Sequence, residues 1–111
     1  MLLSGQGRND EAEQLLREVL DAYPEQHDAA YSLALLLVGV GRADEGLEYL
    51  ERAAKGMPER SRIQYNYGLL LSQMQKDDEA EAALRKAVSL EPENLDYLYA
   101  CLLYTSDAAD E

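Results

Sequence analysis

A chain of 111 residues has room for one small domain, and its lack of Trp and Phe predicts a core of Leu and Ala, which favours helices. Ten basic against 22 acidic residues give a net charge of −12, which argues against nucleic acid and anionic lipid as partners because phosphate binding needs clustered Lys and Arg. No run of sequence approaches the roughly 20 apolar residues of a membrane span, so membrane insertion is not expected.

The prolines divide the chain at a constant interval, at Pro24, Pro58 and Pro92. Proline begins or ends helices because it lacks an N–H donor and clashes with the preceding turn, so this spacing predicts a repeated helical unit. Residues 27–60 align on residues 61–94 without a gap, and residues 1–26 fit the latter part of the same unit.

The first segment, residues 1–26, is predicted to contain the end of a first helix followed by a second helix. Leu3 takes the position that Leu37 and Leu71 take in the later units, so Met1 falls in the middle of a first helix. We therefore expect the parent protein to be longer than this chain.

The two complete units, residues 27–60 and 61–94, are each predicted to form two helices. Apolar residues recur at helical spacing, as in Leu33, Leu36, Leu37 and Val40, and then Leu47, Leu50, Ala53 and Ala54. A short polar link places Asp44 or Asp77 near the next helix N-terminus, where a carboxylate is favoured. Three Glu–Arg pairs four residues apart mark the solvent face of the second helices: Glu13–Arg17, Glu48–Arg52 and Glu81–Arg85.

Each complete unit resembles the tetratricopeptide repeat (TPR), an antiparallel helix pair of about 34 residues. The resemblance rests on small residues in both helices, on a large apolar residue in the second helix and on the closing proline. The small positions hold Ala34 and Gly68 in first helices and Ala12, Gly46 and Ala80 in second helices, and the large position holds Leu16, Leu50 and Leu84. Ala30 and Gln64 occupy the family's Trp position, and Gly46 in place of Ala is expected to cost about 1 kcal/mol. The resemblance implies an all-α fold, an α-solenoid of helix pairs in a right-handed superhelix.

The last part of the chain departs from the repeat. Asn94 is predicted to cap a further first helix that starts in residues 95–100, but Leu102 then stands where the family has a small residue. Residues 101–111 match the translation of a transposon-end adapter used in library sequencing, so they are predicted to be a non-native tail. This tail includes Cys101, the only cysteine, so the chain has neither a disulfide framework nor a multi-Cys metal site.

The resemblance also implies a concave groove lined by the first helices, in which a protein or peptide partner would lie. The candidate groove residues are Tyr31, Leu35, Val38, Arg62, Tyr65, Asn66, Leu69, Ser72 and Tyr99. Tyr31, Tyr65 and Tyr99 recur at the repeat interval, and we call them the tyrosine ladder. Their rings would suit contact with a peptide, but they could equally pack as core between helices. Arg62 could pair with a ligand carboxylate or be neutralised by Asp28 and Asp96. Tyr31 and Leu35 replace the Lys and Asn of the family's carboxylate clamp, so a chaperone-tail ligand is not expected.

No catalytic constellation, metal site or cofactor is expected. His27 has no second His or Cys near it in the sequence, and the acidic run after Lys76 lies at a predicted helix start, where acids are favoured electrostatically. The preferred hypothesis is a protein-interaction scaffold without catalysis. The alternative is an accessory segment of a larger enzyme or electron-transfer protein, such as a multihaem cytochrome or glycosyltransferase. Self-association through the truncated repeat ends is also expected, and the compartment is open between cytoplasm, the default, and periplasm.

Overall fold

The computed structural model describes the backbone of residues 2–110 and the side chains of residues 8–102. Over this range the chain is all-helical, which confirms the predicted class. The six helices are α1 (Leu2–Ala22), α2 (His27–Gly39), α3 (Ala43–Gly56), α4 (Ser61–Gln73), α5 (Asp77–Leu90) and α6 (Leu95–Asp110).

The helices group into two compact units. The first unit, Met1–Gly56, contains α1 to α3, and the second unit, Met57–Glu111, contains α4 to α6. In the first unit α3 packs along α2, and α1 contacts α2; in the second unit α5 packs along α4, and α6 contacts α5. Helices α2 and α4 begin at the first residues of the two complete repeats inferred from the sequence.

The N-terminal segment differs from the expected arrangement. Residues 2–22 form one continuous helix rather than the end of one helix followed by another. The residue equivalent to the turn positions of the later repeats is Gly7, which stays helical here. No proline interrupts the segment, and glycine alone only lowers helix propensity, so a continuous helix carries no steric penalty.

The link within each helix pair has the same backbone geometry. Gly41 has φ of 87° and Gln75, its equivalent one repeat later, has φ of 62°. After each helix a backbone N–H reaches back across the closed turn: Arg42 N donates to Leu37 O at 2.8 Å and Lys76 N to Leu71 O at 2.9 Å. Glycine adopts this left-handed conformation freely, whereas Gln75 does so at a cost.

Close approach of the paired helices depends on two glycines. A Cβ on Gly46 of α3 would lie 2.8 Å from Val38 Cγ2 and 3.0 Å from the carbonyl oxygen of Ala34, both on α2. A Cβ on Gly68 of α4 would lie 2.8 Å from Cγ of Leu84, which is fully buried on α5. The penalty expected for Gly46 in place of Ala comes from helix propensity alone. The packing of α3 on α2 has the opposite effect and favours glycine at this position.

A closed ring of ion pairs ties α1 to the start of α3. Glu13 contacts both Arg17 (2.9 Å) and Arg42 (2.8 Å), and Glu45 contacts the same two arginines at 3.2 and 2.8 Å. Arg17 also donates a hydrogen bond to the Tyr49 hydroxyl at 3.0 Å. The Arg42 guanidinium, followed by that of Arg17, lowers the pKa of the Glu13 carboxyl. Arg42 is also the main cause of the lowered pKa of Glu45.

The three predicted Glu–Arg pairs have different outcomes. Glu13–Arg17 forms as part of the ring, and Arg85 lies 2.7 Å from Glu81. Arg52 is directed elsewhere: its Nη2 donates to the carbonyl oxygen of Pro24 at 3.3 Å, and its guanidinium lies 5.3 Å from the centre of the Tyr49 ring. A four-residue spacing therefore predicts that two side chains can meet, but the tertiary neighbours decide whether they do.

Candidate functional site

The candidate residues of the first unit share one face of α2. Tyr31, Leu35 and Val38 are spaced by four and three residues, so the helical period places them side by side. Leu35 is exposed, whereas Tyr31 and Val38 are half-buried. The helix thus presents an apolar strip that is accessible along its length but supported from behind by α3 at Val38.

The candidates of the second unit occupy α4 at the same register, from Arg62 through Tyr65, Asn66 and Leu69 to Ser72. Arg62 is exposed and the other four are half-buried. The strip therefore begins with a cation and continues with an aromatic ring, an amide, an apolar side chain and a hydroxyl. This combination offers apolar contact together with hydrogen-bonding groups, the usual composition of a peptide-contact surface.

The three tyrosines of the ladder have unlike surroundings. The Tyr65 ring lies 4.6 Å from the Tyr97 ring, centre to centre, with the planes tilted by 34°. Tyr97 is buried, so Tyr65 contributes partly to the packing of the second unit. Tyr99 on α6 is 67% exposed, and Tyr31 on α2 is half-buried. The ladder thus combines rings that support the fold with a ring that faces solvent.

Tyr97 is a residue that sequence reasoning did not single out. It is positioned by the predicted cap, because Asn94 Oδ1 accepts a hydrogen bond from the Tyr97 backbone N–H at 3.2 Å. The available signal was the repeat register: the equivalent of Tyr97 one repeat earlier is Ile63, an apolar residue that is buried on α4.

The candidate residues lie on open helix faces. A shallow cleft in the first unit is lined instead by Asn9, Asp10, Glu13, Leu36, Val40 and Arg42, and two others lie at the turns over residues 22–26 and 91–94. Across the described side chains, no group of three His, Cys, Asp or Glu is arranged to hold a metal ion. Nor does any helix, over the residues described, combine the length and apolarity needed to cross a membrane.

Comparison with solved structures shows the fold. A crystal structure of MamA matches with a TM-score of 0.83 at 20% identity, covering 96% of this chain and 62% of MamA. MamA 41-end from Desulfovibrio magneticus RS-1 matches with a TM-score of 0.80 at 24% identity, over 97% of this chain and 61% of that one. The first TPR of Spaghetti (RPAP3), bound to the HSP90 peptide SRMEEVD, matches with a TM-score of 0.80 at 19% identity, over 95% of this chain and 83% of that one. These likenesses confirm the α-solenoid class, and the chain spans about six tenths of the length of the MamA structures.

Family models identify the repeat directly. Two models described as tetratricopeptide repeat match residues 1–54 and residues 37–102, so together they cover most of the chain. No curated protein matches the sequence. The family models, the helix pairs at a constant interval and the likeness to solved TPR structures agree, and the chain belongs to the tetratricopeptide repeat family.

Proposed function

We propose that this chain binds peptide segments of a partner protein on the accessible face of α2 in the first unit and on that of α4 in the second, and performs no catalysis of its own. The TPR fold supports a role in protein interaction. The observation that carries the proposal is the repetition of an aromatic and an apolar residue at one register: Tyr31 and Leu35 on α2, and Tyr65 and Leu69 on α4. Each unit carries its own pair, and we use the name peptide-binding surface for both pairs.

The accessibility of this surface supports contact with a chain rather than a small molecule. Leu35 is 43% exposed, and the other three residues are half-buried, so each side chain is held by its neighbours yet still offers area to a ligand. Tyrosine suits such contact because its ring is rigid, loses little conformational entropy on binding and carries a hydroxyl at its tip. An open helix face also fits an extended or helical peptide better than a compact ligand, which would need a concave pocket.

The RPAP3 structure supports peptides as the ligand class, since that TPR is bound to an HSP90 peptide. The chemistry of the ligand is expected to differ here. Tyr31 and Leu35 stand where the carboxylate-binding members of the family have Lys and Asn, so this chain lacks two polar groups that would hold a C-terminal carboxylate. Apolar side chains in the peptide are therefore the expected anchors.

The test starts from a random peptide library displayed on phage and selected on the immobilised chain. The selected peptide is then synthesised and its affinity is measured for Tyr31→Ala combined with Tyr65→Ala, and separately for Leu35→Gln combined with Leu69→Gln. We expect each variant to bind at least about tenfold more weakly, equivalent to about 1.4 kcal/mol. Because Tyr65 also stacks on Tyr97, helicity is checked by circular dichroism.

Val40→Gln is the matched control, because Val40 is 43% exposed just after α2, as Leu35 is within it, and lies outside the peptide-binding surface. It should bind the selected peptide as the parent chain does. Unchanged affinity in both variants of the peptide-binding surface, with helicity preserved, would refute the proposal.

A further inference from the structure

Each of the two helices that carry the peptide-binding surface contains one residue with a formal charge at pH 7, and the two charges have opposite signs. The residue is Asp28 on α2 and Arg62 on α4. They are equivalent in the repeat, since 34 residues separate them, and both are exposed. Each lies three residues before the tyrosine of its pair, so the helical period places the charge on the same face as that tyrosine. The two pairs therefore have similar apolar groups but opposite charges beside them.

Arg62 is a cation without an acidic partner in its own unit. In the described part of the second unit an ion pair joins Arg85 to Glu81 on α5, and Arg62 belongs to none. Asp96, which the sequence allowed as a neutralising partner, makes no ion pair with it there. The first turn of α4 also contains no acidic residue. A ligand carboxylate would thus meet the Arg62 guanidinium without displacing a carboxylate of this unit.

The net charge of the chain opposes an acidic ligand only at long range. The chain carries a net charge of −12, which repels an acidic peptide as it approaches. At about 0.15 M salt the Debye length is about 8 Å, so exposed charges farther apart than this are largely screened. The atoms of a contact ion pair lie within about 4 Å of each other, so the pair keeps most of its attraction. The sign of the charge beside each pair therefore has more influence on peptide choice than the net charge has.

The spacing of the side chains on α4 indicates the pattern of such a peptide. With a rise of about 1.5 Å per residue, Tyr65 and Leu69 lie about 6 Å apart along the helix axis, and Arg62 lies about 4.5 Å before Tyr65. In an extended peptide, side chains two residues apart lie on one face at a separation of about 6.8 Å. Two apolar side chains at this interval match Tyr65 and Leu69, and the long Arg62 side chain reaches an acidic residue two positions beyond them. The expected pattern is acidic-x-apolar-x-apolar, in either chain direction.

We propose that Arg62 selects peptides with an acidic side chain for the α4 pair and that Asp28 disfavours the same peptides at the α2 pair. This selectivity rests on the proposed function, because it concerns the class of peptide that the same surface binds. A carboxylate accepts two parallel hydrogen bonds from a guanidinium, whereas the carboxylate of Asp28 repels it. The two units then differ in peptide choice through attraction at one and repulsion at the other.

Separate selections on the two units test this difference first. Tyr31→Ala with Leu35→Gln removes the α2 pair and leaves the α4 pair, and Tyr65→Ala with Leu69→Gln does the reverse. Circular dichroism checks that both variants keep their helicity. Peptides from a phage-displayed random library that bind the first variant should contain Asp or Glu beside their apolar residues, and peptides that bind the second variant should lack them. Equal acidic content in the two sets would overturn the proposal.

Charge reversal then identifies the residue responsible. One acidic peptide from the first selection is synthesised with a C-terminal amide, so that its carboxylates belong to side chains, and its Kd is measured at about 0.15 M salt. Arg62→Gln should weaken binding about threefold and Arg62→Glu about tenfold, and a peptide with Lys in place of the acid should bind Arg62→Glu more tightly than it binds the parent chain. Lys86→Gln is the matched control, because Lys86 is an exposed cation on α5, outside the peptide-binding surface, and its loss changes the net charge as Arg62→Gln does. This control should leave the Kd unchanged.

Failure of this selectivity is distinguishable from failure of the proposed function. If Arg62→Glu binds the acidic peptide as tightly as the parent chain does, or if Lys86→Gln weakens binding as much as Arg62→Gln, then Arg62 does not select the peptide. The peptide-binding surface stands in that case if Tyr65→Ala with Leu69→Gln weakens binding of the same peptide. Unchanged affinity in that double variant would overturn the surface itself, and the selectivity with it.

Discussion

Replacing Gly46 by Ala is expected to have two opposing effects on the free energy of unfolding, one from helix propensity and one from packing. Propensity alone predicts that Gly46→Ala stabilises the chain by about 1 kcal/mol, because glycine is a poor residue in a helix interior. The structure predicts the opposite sign. The new Cβ would lie 2.8 Å from Val38 Cγ2 and 3.0 Å from the carbonyl oxygen of Ala34, and the carbonyl cannot recede without moving α2 away from α3.

The size of the effect follows from these contacts. Overpacking of a core by one methyl group typically costs about 1 to 3 kcal/mol. After the gain in propensity is subtracted, Gly46→Ala is expected to lower the free energy of unfolding by about 1 kcal/mol. Because one of the two contacts is to Val38, the cost should be smaller in a Val38→Ala background, where that methyl group is absent.

Urea denaturation followed by circular dichroism measures all four members of this double-mutant cycle. Gly39→Ala is the control, since a Cβ on Gly39 of the same helix pair would meet no atom within 4 Å. That variant should be neutral or slightly stabilising. Close packing of α3 on α2 does not set the cost at Gly46 if Gly46→Ala raises the urea midpoint as much as Gly39→Ala does, or if the Val38→Ala background leaves the effect of Gly46→Ala unchanged.

Three further substitutions test separate features. Gln75→Gly should raise the free energy of unfolding by about 1 kcal/mol in urea denaturation, because Gln75 holds a left-handed backbone at φ of 62°. Arg42→Gln should lose less of its free energy of unfolding than the parent chain does when the pH falls from about 5 to about 3, as measured by acid titration. Arg42 lowers the pKa of Glu13 and Glu45, so their contribution is present above the ordinary pKa of these carboxyls and is lost as they protonate. Asn94→Ala should cost about 1 kcal/mol and show first as faster hydrogen exchange at the start of α6.

The features that follow a period were predictable from the sequence. Proline spacing and apolar spacing predicted helix pairs, and α2 and α4 begin where the repeats were placed. Asn94 was predicted as a cap, and its side chain does accept the Tyr97 backbone N–H. The cap and the apolar spacing are local signals, because each depends on residues within a turn or two of one another.

The features that break the period were not predictable. The ion-pair ring joins Glu13 and Arg17 to Arg42 and Glu45, which lie far along the chain, and the equivalent of Arg17 one repeat later is Glu51. From the sequence, Gly46 is only a helix residue of lower propensity than Ala. The distances to α2 show that a side chain does not fit there. Both depend on which atoms meet across helices, and the sequence of one helix does not contain that information.

The stacked tyrosines give this chain an internal optical probe. Without Trp, its near-ultraviolet signal comes from eight Tyr, and Tyr65 and Tyr97 are close enough, at 4.6 Å, for their electronic transitions to couple. The coupling exists only while α6 holds the Tyr97 ring against the Tyr65 ring of α4. Near-ultraviolet circular dichroism should therefore report the detachment of α6 even while the far-ultraviolet signal still records intact helices.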